Sequence, residues 1–179
     1  MASNSILLAG FGGQGILFAG KFLAYKGMVA GKEVSWLPSY GPEMRGGTAS
    51  CSVILSDTPI GSPIIMHPDC LVAMNLPSLE KYKGAVVPGG KIFLDSTLID
   101  AEVGRDDVQV FAIPATRMAL EAGVSTLANM VMVGKLIREC DDLSFDGLDE
   151  TLHHVVSARR AALFDLNKTA LNEGYNYEG

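Results

Sequence analysis

The sequence predicts an α/β fold, a three-layer sandwich with a mostly parallel central sheet and C-terminal helices. Three observations predict it. Residues 6–17 pass from an apolar run through a glycine-rich turn to a helical pattern, which is the order strand, turn and helix. Residues 70–74 form a short continuous apolar run, as is typical of a buried central strand. The last third of the chain has apolar residues at helical spacing.

The glycine-rich turn is the first candidate functional element. Gly10, Gly12, Gly13 and Gly15 surround Gln14 within a short stretch. Glycine allows positive φ and a close approach of the backbone to a ligand, and the first N–H groups of the following helix have no partner within that helix. We therefore predict that this turn binds an anionic group.

The helix after the turn is predicted to end at Gly31, and residues 33–37 are predicted to form a second strand in a parallel, right-handed strand-helix-strand unit. The Gly-x-Gly-x-x-Gly spacing of the turn also satisfies the dinucleotide fingerprint, so an NAD(P)-dependent dehydrogenase is an alternative. That fingerprint requires an acidic residue at the far end of the second strand, whereas Glu33 lies where this strand begins. NAD(P) binding is therefore the second choice.

A loop rich in proline and glycine follows the second strand. Its prolines stiffen the backbone and its glycines permit unusual turns, so Glu43 and Arg45 would be presented from a shaped loop. Arg45 could bind phosphate or carboxylate, Tyr40 could stack or donate a hydrogen bond, and Glu43 could hold Arg45. A rigid turn with a surface ion pair explains the same residues equally well.

The other strands are predicted at residues 48–55, 70–74, 91–95 and 108–113. Asn75 is predicted to cap a short helix over residues 76–82, although its side chain could also contact a ligand. Further helices are predicted at about residues 115–122, after Ser125 through Ile137, after Ser144 with apolar residues up to Val156, and across residues 163–171. Ser125 is the predicted cap of the second of these, and residues 174–179 are predicted to form a loose tail.

Length and charge restrict the class of protein. A chain of 179 residues suits one domain that buries a single core. A net charge of −6 argues against a general surface for nucleic acid or anionic membranes. The N-terminal residues lack a signal-peptide pattern, and no stretch reaches the length of a membrane span, so we expect a cytoplasmic protein. Eight methionines are compatible with a Met-rich core or with buried subunit contacts.

Metal and cluster sites are not predicted. Cys51, Cys70 and Cys140 are far apart in the sequence and lie in apolar surroundings, so we expect buried reduced thiols. Zinc and iron-sulfur sites normally use close pairs or runs of cysteine. His153 and His154 are adjacent and point to different faces of a helix, and no histidine has a ligand partner at helical spacing.

The two glycine motifs together resemble a known family. Gly-Gly-Gln-Gly at residues 12–15 and Tyr-Gly-Pro-Glu-Met-Arg-Gly-Gly at residues 40–47 are similar to motifs of the gamma subunit of 2-oxoacid:ferredoxin oxidoreductases. Residues 73–78 and 128–132 resemble the same family, so the likeness runs from about Ile6 to about Ile137. The wording of the second motif is most similar to the 2-oxoglutarate type, while types acting on branched-chain 2-oxoacids, pyruvate or indolepyruvate remain open.

The resemblance implies a Rossmann-like gamma-type domain over residues 1–179 that acts within a larger enzyme. Such enzymes decarboxylate a 2-oxoacid on thiamine diphosphate, reduce ferredoxin through iron-sulfur clusters and form an acyl-coenzyme A. The alpha and beta subunits would hold thiamine diphosphate and magnesium, the beta or a ferredoxin-like delta subunit would hold the clusters, and the gamma subunit would help to bind coenzyme A. The residues implied at the coenzyme A site are Gly12, Gly13, Gln14, Gly15, Tyr40, Glu43, Arg45, Gly46 and Gly47.

The residues themselves are compatible with this division of labour. No serine or cysteine lies on a nucleophile elbow and no general base can be named, so no catalytic residue is predicted and the isolated chain is expected to be inactive. When it is separated from its partner subunits, the chain could form a homodimer. A third interpretation, beside the oxidoreductase subunit and the dehydrogenase, is a nonenzymatic nucleotide-binding or assembly module that uses the same turn.

Overall fold

The computed structural model describes residues 3–39 and 48–179. Within these ranges the strands are β1 (Ser3–Phe11), β2 (Glu33–Ser39), β3 (Thr48–Ser56), β4 (Cys70–Ala73), β5 (Lys91–Asp95) and β6 (Gln109–Ile113). The α-helices are α1 (Ile16–Val29), α2 (Leu76–Tyr82), α3 (Ala115–Glu121), α4 (Ala128–Glu139), α5 (Leu148–Val155) and α6 (Ala162–Asn176). Short 3-10 turns cover Lys83–Ala85 and Ala158–Arg160.

All six strands form one sheet in the order β2-β3-β1-β4-β5-β6. β1, β4, β5 and β6 are parallel to one another, while β3 is antiparallel to both β1 and β2. β2 therefore runs in the same direction as β1, but β3 separates the two strands. The predicted α/β fold with a mostly parallel sheet is confirmed. The antiparallel strand directly beside β1 was not predicted from the sequence.

The sheet buries both of its faces. Along β1, Ile6 and Leu8 belong to the larger apolar cluster with α1, α4 and α6, whereas Leu7 belongs to a smaller cluster with Leu79 of α2. This alternation is the period-two pattern of a strand whose neighbouring side chains point to opposite faces. Helices α1, α4 and α6 pack on the face with the larger cluster, and α2 packs on the face with the smaller cluster. No helix within residues 3–39 and 48–179 combines the length and apolar character that crossing a membrane requires.

Helices α4 and α6 lie so close together that two glycines touch the backbone of the facing helix. A Cβ atom on Gly134 would overlap the carbonyl oxygen of Leu171, and one on Gly174 would overlap that of Val131. Glycine at these positions therefore permits a contact that any side chain would prevent. The crossing fixes the C-terminal helix on the larger apolar cluster.

The C-terminal tail is held to α4, so the prediction of a loose tail from residue 174 is wrong. Helix α6 continues to Asn176, beyond the predicted end. Lys135 Nζ donates a hydrogen bond of 2.9 Å to the Tyr177 carbonyl, and Arg138 Nη1 donates one of 3.0 Å to the Tyr175 carbonyl. Both side chains bind backbone carbonyl groups. Every residue has such a group, so the sequence does not indicate which carbonyls will be bound.

The helix caps agree with the prediction in one case and differ in another. The Asn75 side chain accepts a hydrogen bond of 2.8 Å from the Ser78 backbone N–H, which confirms the predicted cap of α2. Helix α4 begins only at Ala128, with Leu127 at the N-cap position and no side-chain cap, so the predicted cap at Ser125 is wrong. Residues 124–127 instead form a backbone turn in which the Leu127 N–H donates to the Val124 carbonyl at 2.8 Å.

Candidate functional site

The glycine turn lies at the carboxyl edge of the sheet, between β1 and α1. From β1 the chain passes to β2 and β3 on one side of the sheet and then to β4 on the other side. The end of β1 is therefore a topological switch point, where open α/β sheets leave a crevice for ligands. The fold positions the predicted turn where a binding site is expected on general grounds.

Gly13 forms the open part of the turn. Its φ of 94° lies in the left-handed region, and a Cβ atom built on it would meet nothing within 4 Å. Gly12 and Gly13 are both exposed. A side chain at residue 13 would therefore strain the backbone and occupy space that the turn leaves free for a ligand.

Gly15 forms the closed part of the turn. Its φ is 73°, and a Cβ atom here would overlap the amide of Asn129. Asn129 Nδ2 donates a hydrogen bond of 3.0 Å to the Gly15 carbonyl. Helix α4 thus holds the turn through Asn129. Residue 15 must be glycine because its backbone conformation and the contact with Asn129 leave no room for a side chain.

The start of α1 presents a row of backbone donors. The N–H groups of Ile16, Leu17 and Phe18 precede the first intrahelical bond, which Ala19 N–H donates to the Gly15 carbonyl at 3.0 Å. Among the described residues, the Gly13 N–H also has no acceptor. These donors and the positive end of the helix dipole together favour an anion beside the turn.

Gln14 connects the turn to the neighbouring strand. Its Oε1 accepts a hydrogen bond of 2.6 Å from the Phe11 N–H, and its Nε2 donates one of 2.9 Å to the Met74 carbonyl. Its own N–H donates to the Phe11 carbonyl at 3.2 Å. The Gln14 side chain therefore points to the protein and fixes the turn against the end of β4. A ligand contact of Gln14 stays a prediction.

Replacing Gln14 by alanine is expected to lower the free energy of unfolding by about 1–3 kcal/mol, because the Phe11 N–H and the Met74 carbonyl lose their partners. Gln109→Ala is the matched control, since Gln109 is exposed on the edge strand β6 and its change is expected to stay within about 0.5 kcal/mol. Urea denaturation of both variants measures the difference. Equal stabilities would mean that the Gln14 bridge does not hold the turn.

Two cavities share Phe18 as a lining residue. The first, of about 290 Å³, is lined by Phe11, Gly12, Gly13, Gly15, Ile16, Leu17, Phe18 and Ala49. The second, of about 660 Å³, is lined by Phe18, Val155, Val156, Ser157, Arg159, Arg160, Leu163 and Asn167. We call the second cavity the arginine groove. It lies along the start of α6 and combines apolar walls with two exposed arginine residues.

Arg159 and Arg160 were not predicted as site residues from the sequence. Neither has a carboxylate within ion-pair distance among the described residues. They follow α5 in a short 3-10 turn, and nothing in their spacing marks them as binding residues. Only the fold brings this part of the chain beside the glycine turn.

The second predicted loop lies outside the described residues, and with it the candidate site residues Tyr40, Glu43, Arg45, Gly46 and Gly47. Its flanking residues are described. Thr48 pairs with Phe11, and Ser39 pairs with Ser50. Both ends of the loop are therefore at the same edge of the sheet as the glycine turn. The roles of the five residues stay predictions.

The acidic residue considered for a dinucleotide lies at the opposite edge. Glu33 pairs with Ser56, and Ser56 pairs with Ser3 at the start of β1. The glycine turn begins after Phe11, about 27 Å away along the strand at 3.4 Å per residue. Because β3 also separates β2 from β1, Glu33 cannot bind a ribose whose phosphates lie on the turn.

Among the described residues, Asp95 is the one buried carboxylate at the carboxyl edge, and protein groups donate to it. Asp95 accepts hydrogen bonds from the Thr97 N–H at 3.0 Å and from the Thr116 hydroxyl at 2.5 Å. These bonds connect the end of β5 to the start of α3. Within residues 3–39 and 48–179 no group of three or more His, Cys, Asp or Glu side chains could hold a metal ion. The chemistry that the described site supports is binding and orientation of an anionic ligand.

Comparison with known families gives a match over nearly the whole chain. Residues 5–177 match the family described as Pyruvate ferredoxin/flavodoxin oxidoreductase. The ketoisovalerate oxidoreductase subunit VorA of Methanothermobacter thermautotrophicus is 39% identical over 173 residues, which are 94% of this chain and 35% of VorA. The chain thus spans about a third of the length of that relative.

Another relative has nearly the same length as this chain. The 2-oxoglutarate synthase subunit KorC of Methanocaldococcus jannaschii is 34% identical over 175 residues, which are 96% of this chain and 92% of KorC. Relatives named for two different 2-oxoacids are therefore similar to this chain to a comparable degree.

Solved structures share the fold. The gamma subunit of a keto/oxoacid ferredoxin oxidoreductase from Geobacter sulfurreducens superposes with a TM-score of 0.84 at 26% identity, covering 98% of this chain and 95% of that one. A 2-oxoglutarate:ferredoxin oxidoreductase from Magnetococcus marinus, solved with 2-oxoglutarate, coenzyme A and succinyl-CoA bound, superposes with a TM-score of 0.86 at 26% identity. That alignment covers 97% of this chain and 30% of the longer one.

Proposed function

The chain belongs to the pyruvate ferredoxin/flavodoxin oxidoreductase family, and from this premise we propose that it is the gamma subunit of a 2-oxoacid:ferredoxin oxidoreductase. In this proposal residues 1–179 form one gamma-type domain that binds coenzyme A and assembles with alpha and beta subunits and a ferredoxin-like delta subunit. The complete enzyme decarboxylates a 2-oxoacid, passes electrons to ferredoxin and forms an acyl-coenzyme A.

The observation that carries the proposal is the open glycine turn at the carboxyl edge. Gly13 leaves space at a point where unpaired N–H groups and the start of α1 favour negative charge. Coenzyme A carries a diphosphate and a 3′-phosphate, so it offers several anionic groups. Its presence in the related Magnetococcus marinus structure supports coenzyme A as the ligand.

The geometry suggests how coenzyme A would lie. The diphosphate would lie on the backbone of Gly12, Gly13 and Gly15, and the adenosine end would extend past Phe18 into the arginine groove. Tyr40, Glu43, Arg45, Gly46 and Gly47 would line the other side, since their loop begins and ends at the same edge of the sheet. The contribution of this chain to catalysis is to hold the thiol of coenzyme A near the acyl group, which lowers the entropic cost of transfer.

The remaining chemistry is assigned to partner subunits. Among the described residues, Cys51 contacts Trp36, and no set of four cysteine side chains exists to hold an iron-sulfur cluster. Thiamine diphosphate and magnesium would likewise be held by the alpha and beta subunits. When bound there, these groups supply the carbanion and electron-transfer steps.

We propose 2-oxoglutarate as the substrate, because KorC is similar to this chain over most of both lengths. Ketoisovalerate is the second candidate, supported by the identity to VorA. The side chain of the 2-oxoacid would be selected mainly by the subunits that hold thiamine diphosphate.

Reconstitution tests the proposed function. The chain is coexpressed with the products of the neighbouring genes, and reduction of ferredoxin or a viologen dye is measured with a panel of 2-oxoacids. We expect reduction that requires both a 2-oxoacid and coenzyme A and that is lost when this chain is omitted. Full activity without this chain would contradict the proposal.

Titration with coenzyme A and NADH separates the alternatives. We expect the assembled protein to bind coenzyme A and the isolated chain to show no NADH binding. Tight NADH binding without coenzyme A binding would favour the dehydrogenase. Binding of neither ligand, together with firm association with alpha and beta subunits, would favour an assembly module.

Removing the charges of the arginine groove is expected to weaken coenzyme A binding. The double change Arg159→Ala and Arg160→Ala should raise the KM for coenzyme A about 10-fold, because it removes charge-assisted hydrogen bonds to a phosphate. Dephospho-coenzyme A, which lacks the 3′-phosphate, should be affected less. Arg117→Ala is the control, since Arg117 is exposed on α3 beside Glu121. Equal loss with both ligands would contradict binding of the 3′-phosphate in the groove.

A further inference from the structure

Cys70 and Cys140 form a buried thiol pair that the sequence did not reveal. Their Sγ atoms lie 3.6 Å apart although the residues are separated by 70 positions. Each residue has a relative exposure of 3%. Cys70 is the first residue of β4, and Cys140 directly follows α4. The pair therefore lies at the amino edge of the sheet, opposite the glycine turn.

A cavity of about 320 Å³ reaches the pair from the surface. Both cysteines line it, together with Asn4, Asp69, Lys91 and Asp142. Small reagents therefore have a route to the sulfur atoms, even though the side chains themselves expose little area. The coenzyme A site proposed above shares no residue with this cavity.

The surroundings make the two thiols unequal. The hydrogen bond from Cys70 lowers the pKa of Cys140, and the nearby charge of Lys91 lowers it further. The same hydrogen bond and burial raise the pKa of Cys70. The lower pKa favours Cys140 as the attacking cysteine, with Cys70 as the resolving one 3.6 Å away.

We propose that Cys70 and Cys140 are a redox modification site that forms a reversible disulfide with a small oxidant of the peroxide class. The Cys140 thiolate attacks one peroxide oxygen, the O–O bond breaks, and hydroxide leaves as sulfenic acid forms on Cys140. The Cys70 sulfur then attacks the Cys140 sulfur, forming the S–S bond, while the sulfenic oxygen leaves as water with the proton of Cys70. The hydroxide takes up the proton that Cys140 lost on ionisation, so overall two thiols are oxidised and one hydrogen peroxide is reduced to two waters.

The geometry requires little movement. A disulfide has sulfur atoms about 2 Å apart, so the two Sγ atoms must approach by roughly 1.5 Å. Rotation of the two side chains into the adjoining cavity can supply this, because neither sulfur is held by a bond shorter than the 3.6 Å contact.

Cys51 provides an internal control. It is buried, and burial raises its pKa to about 11. Its Sγ accepts a hydrogen bond of 2.9 Å from Trp36 Nε1, and it has a relative exposure of 1%. Cys51 therefore stays a thiol under conditions that oxidise the pair.

The experiment treats the full chain with hydrogen peroxide at pH 8, blocks free thiols with iodoacetamide in denaturant, and analyses tryptic peptides by tandem mass spectrometry. Fragmentation is needed because Cys51 and Cys70 lie in one tryptic peptide, residues 46–81. We expect a peptide joined through Cys70 and Cys140, and a fall from the chain's three free thiols to one that dithiothreitol reverses. In Cys70→Ser, dimedone should label Cys140 as the sulfenic acid. Cys51→Ser should still form the joined peptide.

Three results would overturn the proposal. The first is the absence of the peptide joined through Cys70 and Cys140. The second is oxidation of Cys51 before oxidation of Cys70 and Cys140. The third is dimedone labelling of Cys70 in Cys140→Ser as fast as labelling of Cys140 in Cys70→Ser. None of these outcomes depends on coenzyme A or on partner subunits, so the test is independent of the proposed function.

Discussion

Replacing Gly13 by valine is expected to raise the KM for coenzyme A of the assembled enzyme by about 10- to 100-fold. One or more charge-assisted hydrogen bonds to the diphosphate would be lost, each worth about 1.5–3 kcal/mol, and 1.4 kcal/mol corresponds to a factor of ten. Gly13 is exposed and open, so the valine side chain fits sterically but occupies the space beside the free N–H groups. Steady-state kinetics with varied coenzyme A measures the effect.

Gly31→Val separates the loss of binding from backbone strain. Gly31 also has a positive φ, of 73°, and open space around a built Cβ atom, but it follows the far end of α1. Both variants should lose similar stability, of order 1–3 kcal/mol, for a side chain in this conformation. Only Gly13→Val should change the KM for coenzyme A. An equal change in the KM for coenzyme A in the two variants would contradict the assignment of the glycine turn to the binding site.

Replacing Gly134 by alanine is expected to cost about 3 kcal/mol or more of unfolding free energy. The new Cβ atom would overlap the Leu171 carbonyl and crowd the Tyr175 N–H, which forces α4 and α6 apart. Helix propensity alone predicts the opposite, a gain of about 1 kcal/mol for alanine over glycine. The sign of the change therefore decides whether the close crossing exists.

Gly84→Ala is the control for this second variant. Gly84 lies in a 3-10 turn, and a Cβ atom there would meet nothing within 4 Å. Its stability should change by less than about 1 kcal/mol. Denaturant unfolding of both variants gives the comparison, and a Gly134→Ala protein more stable than the original would contradict the packing of α4 on α6.

Local signals predicted the parts of the fold that depend on local physics. The glycine turn, the strand at residues 70–73 and the cap at Asn75 are each determined by a few neighbouring residues. Backbone conformation, burial on both faces and a side-chain cap all leave a pattern within one element. For that reason the position of the candidate site at a strand end followed from the sequence.

Contacts between distant segments could not be predicted in the same way. The place of β3 beside β1 depends on pairing between residues about 45 positions apart. The Cys70–Cys140 contact and the arginine groove arise only when α4, α5 and α6 pack on the sheet. The sequence alone shows the low helix propensity of glycine at residues 134 and 174, and it does not show the facing backbone that requires glycine there.

Hydrogen exchange of the glycine turn in the assembled complex tests the central claim most directly. Exchange of the backbone amides in residues 12–18 is measured with and without saturating coenzyme A. We predict slower exchange of these amides when coenzyme A is present, and less protection in the Gly13→Val complex at the coenzyme A concentration that saturates the original complex. Unchanged exchange in this segment, with coenzyme A protecting amides elsewhere while it supports turnover, would contradict the account.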